Sequence, residues 1–256
     1  MAVHPLQLRF VQSASDVDQL PPTAGEVAVV GRSNVGKSSL INALANRNGL
    51  AKVSKTPGRT QLLNLFELPD GTSLMDLPGY GFADVPASVR ARWPEMIEGY
   101  LLAREELRAV VVLVDAAVGP TANDTETLAW LRSHGLPVKV VATKHDKVKP
   151  SKRRQRRDEL AAGCLLPPDE VLWVSAAKHV NIEVLRALIL EWVHDEDAAL
   201  RRATDGRGGQ PAPVSGRRRT GGERGAGGAG GAGGADAETA GAGGAGDDGY
   251  DDEDEW

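Results

Sequence analysis

Short apolar runs alternate along this chain with stretches in which apolar residues recur every three to four positions. Glu26 to Val30, Leu62 to Leu68, Ser73 to Met75, Ala109 to Asp115, Val138 to Ala142 and Val171 to Val174 read as strands bounded by polar or Gly-containing segments. Helices are predicted from Lys37, near Ala87 to Glu106, over Asn123 to Ser133, over a basic segment beginning near Pro150, and from Asn181 to Val193. This alternation implies an α/β fold, a three-layer sandwich with a mainly parallel sheet and right-handed crossovers. One antiparallel pair is expected, because only the short Pro69-Asp70-Gly71 turn separates Leu62–Leu68 from Ser73–Met75. Phe10-Val11 is expected to add an edge strand.

The polar segments between these elements carry the chemistry. The first strand runs into Gly31-Arg32-Ser33-Asn34-Val35-Gly36-Lys37-Ser38, which fits the phosphate-loop pattern GxxxxGK[ST]. Glycines at both ends let the backbone wrap phosphates, and the following helix aims unpaired N–H groups and a positive dipole end at them. Lys37 would reach the β and γ phosphates, and the Ser38 hydroxyl would join the shell of a magnesium ion. The position between a β-branched strand and a helical pattern separates this match from a chance Gly-rich turn. A nucleoside triphosphate is the expected ligand.

Val138 to Ala142 leads into Thr143-Lys144-His145-Asp146, a form of the [NT]KxD element. Guanine offers an N1–H and a 2-amino group side by side, which the Asp146 carboxylate could accept as a charge-assisted pair. Adenine offers neither, and the carboxylate left unpaired would cost about 1–3 kcal/mol or more, so ATP should be rejected. Lys144 would lay its aliphatic stem over the purine face. Val171 to Val174 ends in Ser175-Ala176-Ala177-Lys178, an SAK-like element whose N–H groups would meet the guanine O6; Ser175 could equally open the next helix as an N-cap.

Between these two loops, Asp76-Leu77-Pro78-Gly79 forms a DxxG element at a strand end. Asp76 would hold magnesium through a water, and the Gly79 N–H would sense the γ-phosphate. Upstream, Lys55 to Gln61 is a polar, Gly/Pro-broken connection in which Thr60 is the choice for a second magnesium hydroxyl, with Thr56 behind it; Thr-Pro-Gly is also ordinary turn chemistry.

Taken together, GRSNVGKSSLIN from Gly31, SKTPGRTQLLN from Ser54, DLPGYGFA from Asp76 and TKHDK from Thr143 resemble the EngB (YihA/YsxC) family of GTP-binding proteins, within the translation-factor-related, Ras-like GTPases. The resemblance runs from about Leu8 to Asp195 and implies a Ras-like G domain. Carried onto this chain, it implies that Gly31 to Ser38 bind phosphates and that Ser38 and Thr60 ligate magnesium. Gly58, Arg59, Thr60, Gln61 and Leu62, with Asp76 to Gly79, would make the switch contacts. Thr143 to Asp146, with Ser175, Ala176 and Ala177, would hold guanine. It further implies GTP hydrolysis, a role in assembly of the large ribosomal subunit through rRNA and ribosomal protein, and a part in cell division and septation; that hydrolysis is slow is expected from the residue after DxxG.

Many GTPases orient the attacking water with a Gln after DxxG; here Tyr80 stands there, and a phenol lacks the amide's paired donor and acceptor. Lys37, Thr60 and Gly79 remain as catalytic candidates, with Asn34 as the alternative device. In related GTPases with Asn at this point of the loop, a potassium ion stands in for an arginine finger. Asn34 could instead hydrogen-bond its own backbone. A binding module without useful hydrolysis and a P-loop kinase or ATPase are the rival readings, the latter opposed by Asp146 and DLPG.

Composition adds the surroundings. Of 30 glycines, 18 fall between Arg201 and Trp256, in runs such as GAGGAGGAGGA from Gly225. A segment with so little apolar surface is expected to be disordered, leaving residues 1–24 as an N-terminal segment, 25–195 as the G domain and 196–256 as a tail. Residues 201–256 carry −4 of the formal charge of −5, concentrated in Asp247 to Glu255, either for solubility or for docking on a basic protein. Lys144, Lys147, Lys149, Lys152, Arg153, Arg154, Arg156 and Arg157 crowd fourteen positions. Such a run is a solvated helix face or a phosphate-backbone contact, here assigned to rRNA. With Cys164 the single cysteine, and with neither a signal-like start nor a membrane-length apolar run, a cytoplasmic monomer is expected.

Overall fold

Seven strands form the sheet: β1 (Arg9–Ala14), β2 (Glu26–Gly31), β3 (Leu63–Glu67), β4 (Ser73–Asp76), β5 (Leu107–Asp115), β6 (Val138–Thr143) and β7 (Val171–Trp173). Among the described residues five α-helices accompany them: α1 (Lys37–Ala45), α2 (Ala87–Ala103), α3 (Ala122–Ser133), α4 (Arg153–Gly163) and α5 (Ile182–Val193). The computed structural model describes residues 4–52, 62–80 and 87–197, of which 87–94 by their backbone alone. Strand order is β1-β3-β4-β2-β5-β6-β7. β1, β3 and β4 pair antiparallel, and β4, β2, β5, β6 and β7 run parallel.

Period-two alternation decides which helix covers which face. Val27, Val29, Val111, Leu113 and Val141 point to one side and pack with Leu40, Leu44, Leu185 and Ile189 of α1 and α5. Ala28, Val30, Val110, Val112 and Val140 point to the other and pack with Tyr100, Leu128, Leu131 and Leu160 of α2, α3 and α4. Each fully buried Val or Leu contributes about 1.5–3 kcal/mol over an exposed one, so both layers are needed. Arg186 of α5 donates to the Leu44 and Ala43 carbonyls at the end of α1, which also accept the Leu6 and Asn46 N–H groups, and so ties the two helices together.

The edge strand is longer than Phe10-Val11, running Arg9–Ala14, β5 starts at Leu107 rather than Ala109, and two helix boundaries shift by three residues, each for a physical reason. The helix expected to reach Glu106 stops at Ala103, because Arg104 turns inward to bind Glu26 at 2.9 Å. Pro150 opens a 3-10 turn over Pro150–Lys152, and the α-helix begins only at Arg153.

Parallel pairing sets the functional edge. Gly31 lies beside Leu113, Asp115 beside Thr143, and Val29 beside Asp76, so β2, β4, β5 and β6 all end on the same side. In an open α/β sheet that side is where ligands bind.

Candidate nucleotide site

At the end of β2 the loop Gly31 to Gly36 turns into α1 through two residues of positive φ, Asn34 at 59° and Gly36 at 107°. Gly36 requires its lack of a side chain for this backbone, and Gly31 needs it for space: an added Cβ would lie 3.0 Å from the Leu113 Cβ, the Leu113 carbonyl and the Val35 Cγ1. The first N–H bonded along the helix is that of Leu40, to the Gly36 carbonyl. The N–H groups of Lys37, Ser38 and Ser39 in the first turn therefore have no intrahelical acceptor and line the loop as donors. Lys37 is buried, and its ammonium pairs with the buried Asp76 carboxylate at the end of β4.

The DxxG segment lies directly on this loop. An added Cβ on Gly79 would come within 3.2 Å of the Gly31 carbonyl oxygen and the Ser33 nitrogen. Leu77 and Pro78 are buried, and the Tyr80 carbonyl accepts the Ser33 N–H at 3.0 Å. The Tyr80 hydroxyl does not face the loop: it donates to Asp124 Oδ1 at 2.6 Å.

At the β6 end, the Thr143 hydroxyl donates to the Val35 carbonyl at 2.6 Å. The Lys144 ammonium donates to the Asn34 carbonyl and to Asp115 Oδ2, both at 2.7 Å. The stem of Lys144 thus spans from one loop to the other, with the buried Asp115 as a fixed counter-charge. Asp146 follows in a 3-10 turn over His145–Lys147 and accepts the Ser175 hydroxyl at 2.6 Å. Ser175 is fully buried, also accepts the Lys178 N–H, and is bridged to Val180. The N-cap of α5 is Asn181, so Ser175 holds the carboxylate rather than opening that helix. Among the described residues no acceptor takes the N–H groups of Ala176 or Ala177.

His145 is buried, and neither ring nitrogen has a hydrogen-bond partner among the described residues. Burial first, then Arg153 and Arg157, hold its pKa below the ordinary histidine value against an opposing pull from Asp146. Burial also pushes the Cys164 thiol up to about 11, as suits an inert packing residue.

The structure brings Gly31 to Ser38, Asp76 to Gly79, Thr143 to Asp146 and Ser175 to Ala177 to one edge. Leu62 is exposed just before β3, while Gly58, Arg59, Thr60 and Gln61, with the runner-up Thr56, lie outside the described residues. So does the tail from residue 198. Asp115 and Asp124 escaped the sequence reading, since an acid after a strand or in a helix's first turn is commonplace.

For magnesium, the donors present suit a hard cation: Ser38 follows Lys37 in the first turn of α1 and Asp76 ends β4, and hydroxyl and carboxylate oxygens are the ligands such an ion takes. The basic residues form a second feature. Lys147, Lys149, Lys152, Arg154 and Arg157 are exposed, whereas Arg153 is partly tied down to the Val148 carbonyl and Arg156 pairs with Glu159.

The chain is similar to several known proteins. Residues 26–144 match the model of a family described as 50S ribosome-binding GTPase. "Probable GTP-binding protein EngB" of Desulforamulus reducens is 45% identical over 190 residues, covering 73% of this chain and 93% of that protein. Its counterpart in Vibrio cholerae is 39% identical over 210 residues, covering 80% and 94%. Among solved structures, a "probable GTP-binding protein engB" superposes with a TM-score of 0.56 at 27% identity, covering 67% of this chain and all of the other. Era, solved with MgGDPNP and nucleotides 1506–1542 of 16S ribosomal RNA, gives 0.55 at 27% identity, covering 68% and 58%.

Proposed function

The chain belongs to the EngB family of GTP-binding proteins, and from that membership we propose that it is a slow GTPase switch that times an assembly step of the large ribosomal subunit. The reading rests on one observation: Asp146, oriented by Ser175, stands on the loop that Thr143 and Lys144 join to the phosphate loop. A single purine nucleotide can therefore meet both the carboxylate and the first-turn N–H groups. Asp146 would accept from the guanine N1–H and 2-amino group, the N–H groups of Ala176 and Ala177 would face O6, and Gly31 to Ser38 would wrap the phosphates.

Lys37 would leave Asp76 for the β and γ phosphates, and Asp76 and Ser38, with Thr60, would serve magnesium. That ion, when bound, neutralises charge on the β and γ phosphates. The Gly79 N–H would meet the γ-phosphate. Tyr80 cannot orient the attacking water while its hydroxyl serves Asp124, which favours a low intrinsic rate. Family membership further suggests contact with rRNA and ribosomal protein, a monomeric cytoplasmic life, and a part in cell division and septation. Among the described residues no helix is long and apolar enough to cross a membrane.

Binding of GDP, a nonhydrolysable GTP analogue and ATP tests the proposal. GDP and the analogue should bind at least about tenfold more tightly than ATP, and Asp146→Ala should erase most of that preference. Equal or tighter ATP binding would overturn it. Single-turnover rates with and without ribosomal subunits then separate a timed switch from a sensor that never hydrolyses usefully.

A further inference from the structure

We propose that Tyr80 is a positioning residue: by latching onto Asp124 it holds Gly79 against the phosphate loop, so that the Gly79 N–H is placed for a γ-phosphate before one arrives. The inference rests on the guanine-nucleotide reading and adds a determinant of GTP over GDP to it.

Gly79 touches the loop closely, but its own contacts are weak anchors. The backbone bridge beside it consists of the Tyr80 N–H to the Gly31 carbonyl at 3.3 Å and the Ser33 N–H to the Tyr80 carbonyl at 3.0 Å, the first of them long for such a bond. The side chain supplies the firm attachment. Its hydroxyl donates to Asp124 Oδ1 at 2.6 Å, a short bond to a carboxylate that is 2% exposed. The other oxygen of Asp124 accepts the Thr121 N–H and hydroxyl, each at 2.8 Å, which fixes the carboxylate on the first turn of α3. Leu128 and Leu131 root that helix in the core. Burial and Asp124 both raise the phenol's pKa well above its usual range, so it stays a donor.

The consequence is differential. GTP places a γ-phosphate at Gly79 and GDP does not, so a tether that fixes Gly79 should favour GTP and leave GDP nearly unaffected. Tyr80→Phe removes only the hydroxyl and leaves the Thr121–Asp124 cap in place. With magnesium present, the affinity of Tyr80→Phe for a nonhydrolysable GTP analogue is expected to fall about five- to twentyfold, while that for GDP changes less than about twofold. Asp124→Asn keeps a carbonyl for the cap but loses the charge on the latch, and should move the same ratio in the same direction by a smaller factor. An unchanged ratio, equal losses for both nucleotides, or tighter binding of the GTP analogue would overturn the latch. GDP binding by the wild-type chain reports on the guanine-nucleotide reading separately, since the latch makes no demand on it.

Discussion

His145 carries an imidazole that is buried edge-on against Trp173, with ring centroids 5.8 Å apart and neither nitrogen paired among the described residues. Such a ring folds in its neutral form, whereas in the unfolded chain it takes a proton near pH 6.5. Below that value the unfolded state binds more protons than the folded one. Stability is therefore lost as pH falls from about 6.5 towards the lowered folded-state pKa, and it is unaffected by this group above that window. Denaturation midpoints at pH 5.5 and 7.5 should differ less in His145→Leu than in wild type; an identical pH slope in the two proteins would show that the imidazole plays no part. Asn34, exposed and at φ 59°, leads to a second expectation, namely faster GTP turnover in potassium than in sodium, with the difference lost in Asn34→Ala. Equal rates in both salts would remove it. The residue identities of the loops were legible because their spacing is fixed by phosphate and base chemistry. Asp115 and Asp124 were not, since nothing local marks a carboxylate whose partners, Lys144 and Tyr80, lie 29 and 44 positions away.

The elements themselves were largely readable from hydrophobic period, because the parallel strands are buried on both faces and their helices on one. What period cannot reveal is charge taken into the core. Glu26 opens β2 fully buried, where it accepts from the Tyr100 hydroxyl, from the Ser73 hydroxyl at 2.7 Å and from Arg104 at 2.9 Å. At the sequence level it resembles a solvated strand end, for its arginine lies 78 positions away. This cluster ties the last turn of α2 to β2 and β4 at the edge opposite the candidate site. Arg104→Met should cost about 3–5 kcal/mol by stranding a buried carboxylate, read as a lower urea midpoint. A change within about 0.5 kcal/mol would mean that the hydroxyl donors suffice.

Across the whole molecule, a nearly balanced charge hides a local excess on and before α4. If those side chains meet rRNA, reversing Arg153, Arg154 and Arg157 to Glu should weaken cosedimentation with large subunits and flatten its salt dependence, because fewer counterions are released on binding. Unaltered cosedimentation would assign the cluster to solubility. Of the three, Arg154 and Arg157 are exposed and should carry most of the effect, with Arg153 partly committed to the Val148 carbonyl. This distinction was invisible in a run of like charges, since the facing of each arginine depends on where α4 packs.

Lys144 reaches from the β6 loop to a carbonyl of the β2 loop and to the end of β5. Three neighbouring strands are thereby stapled at their tips, as the ribs of a fan are held by one pin. A purine triphosphate would enter a frame whose length between base and phosphate is already set, with no drawing-together of its two ends.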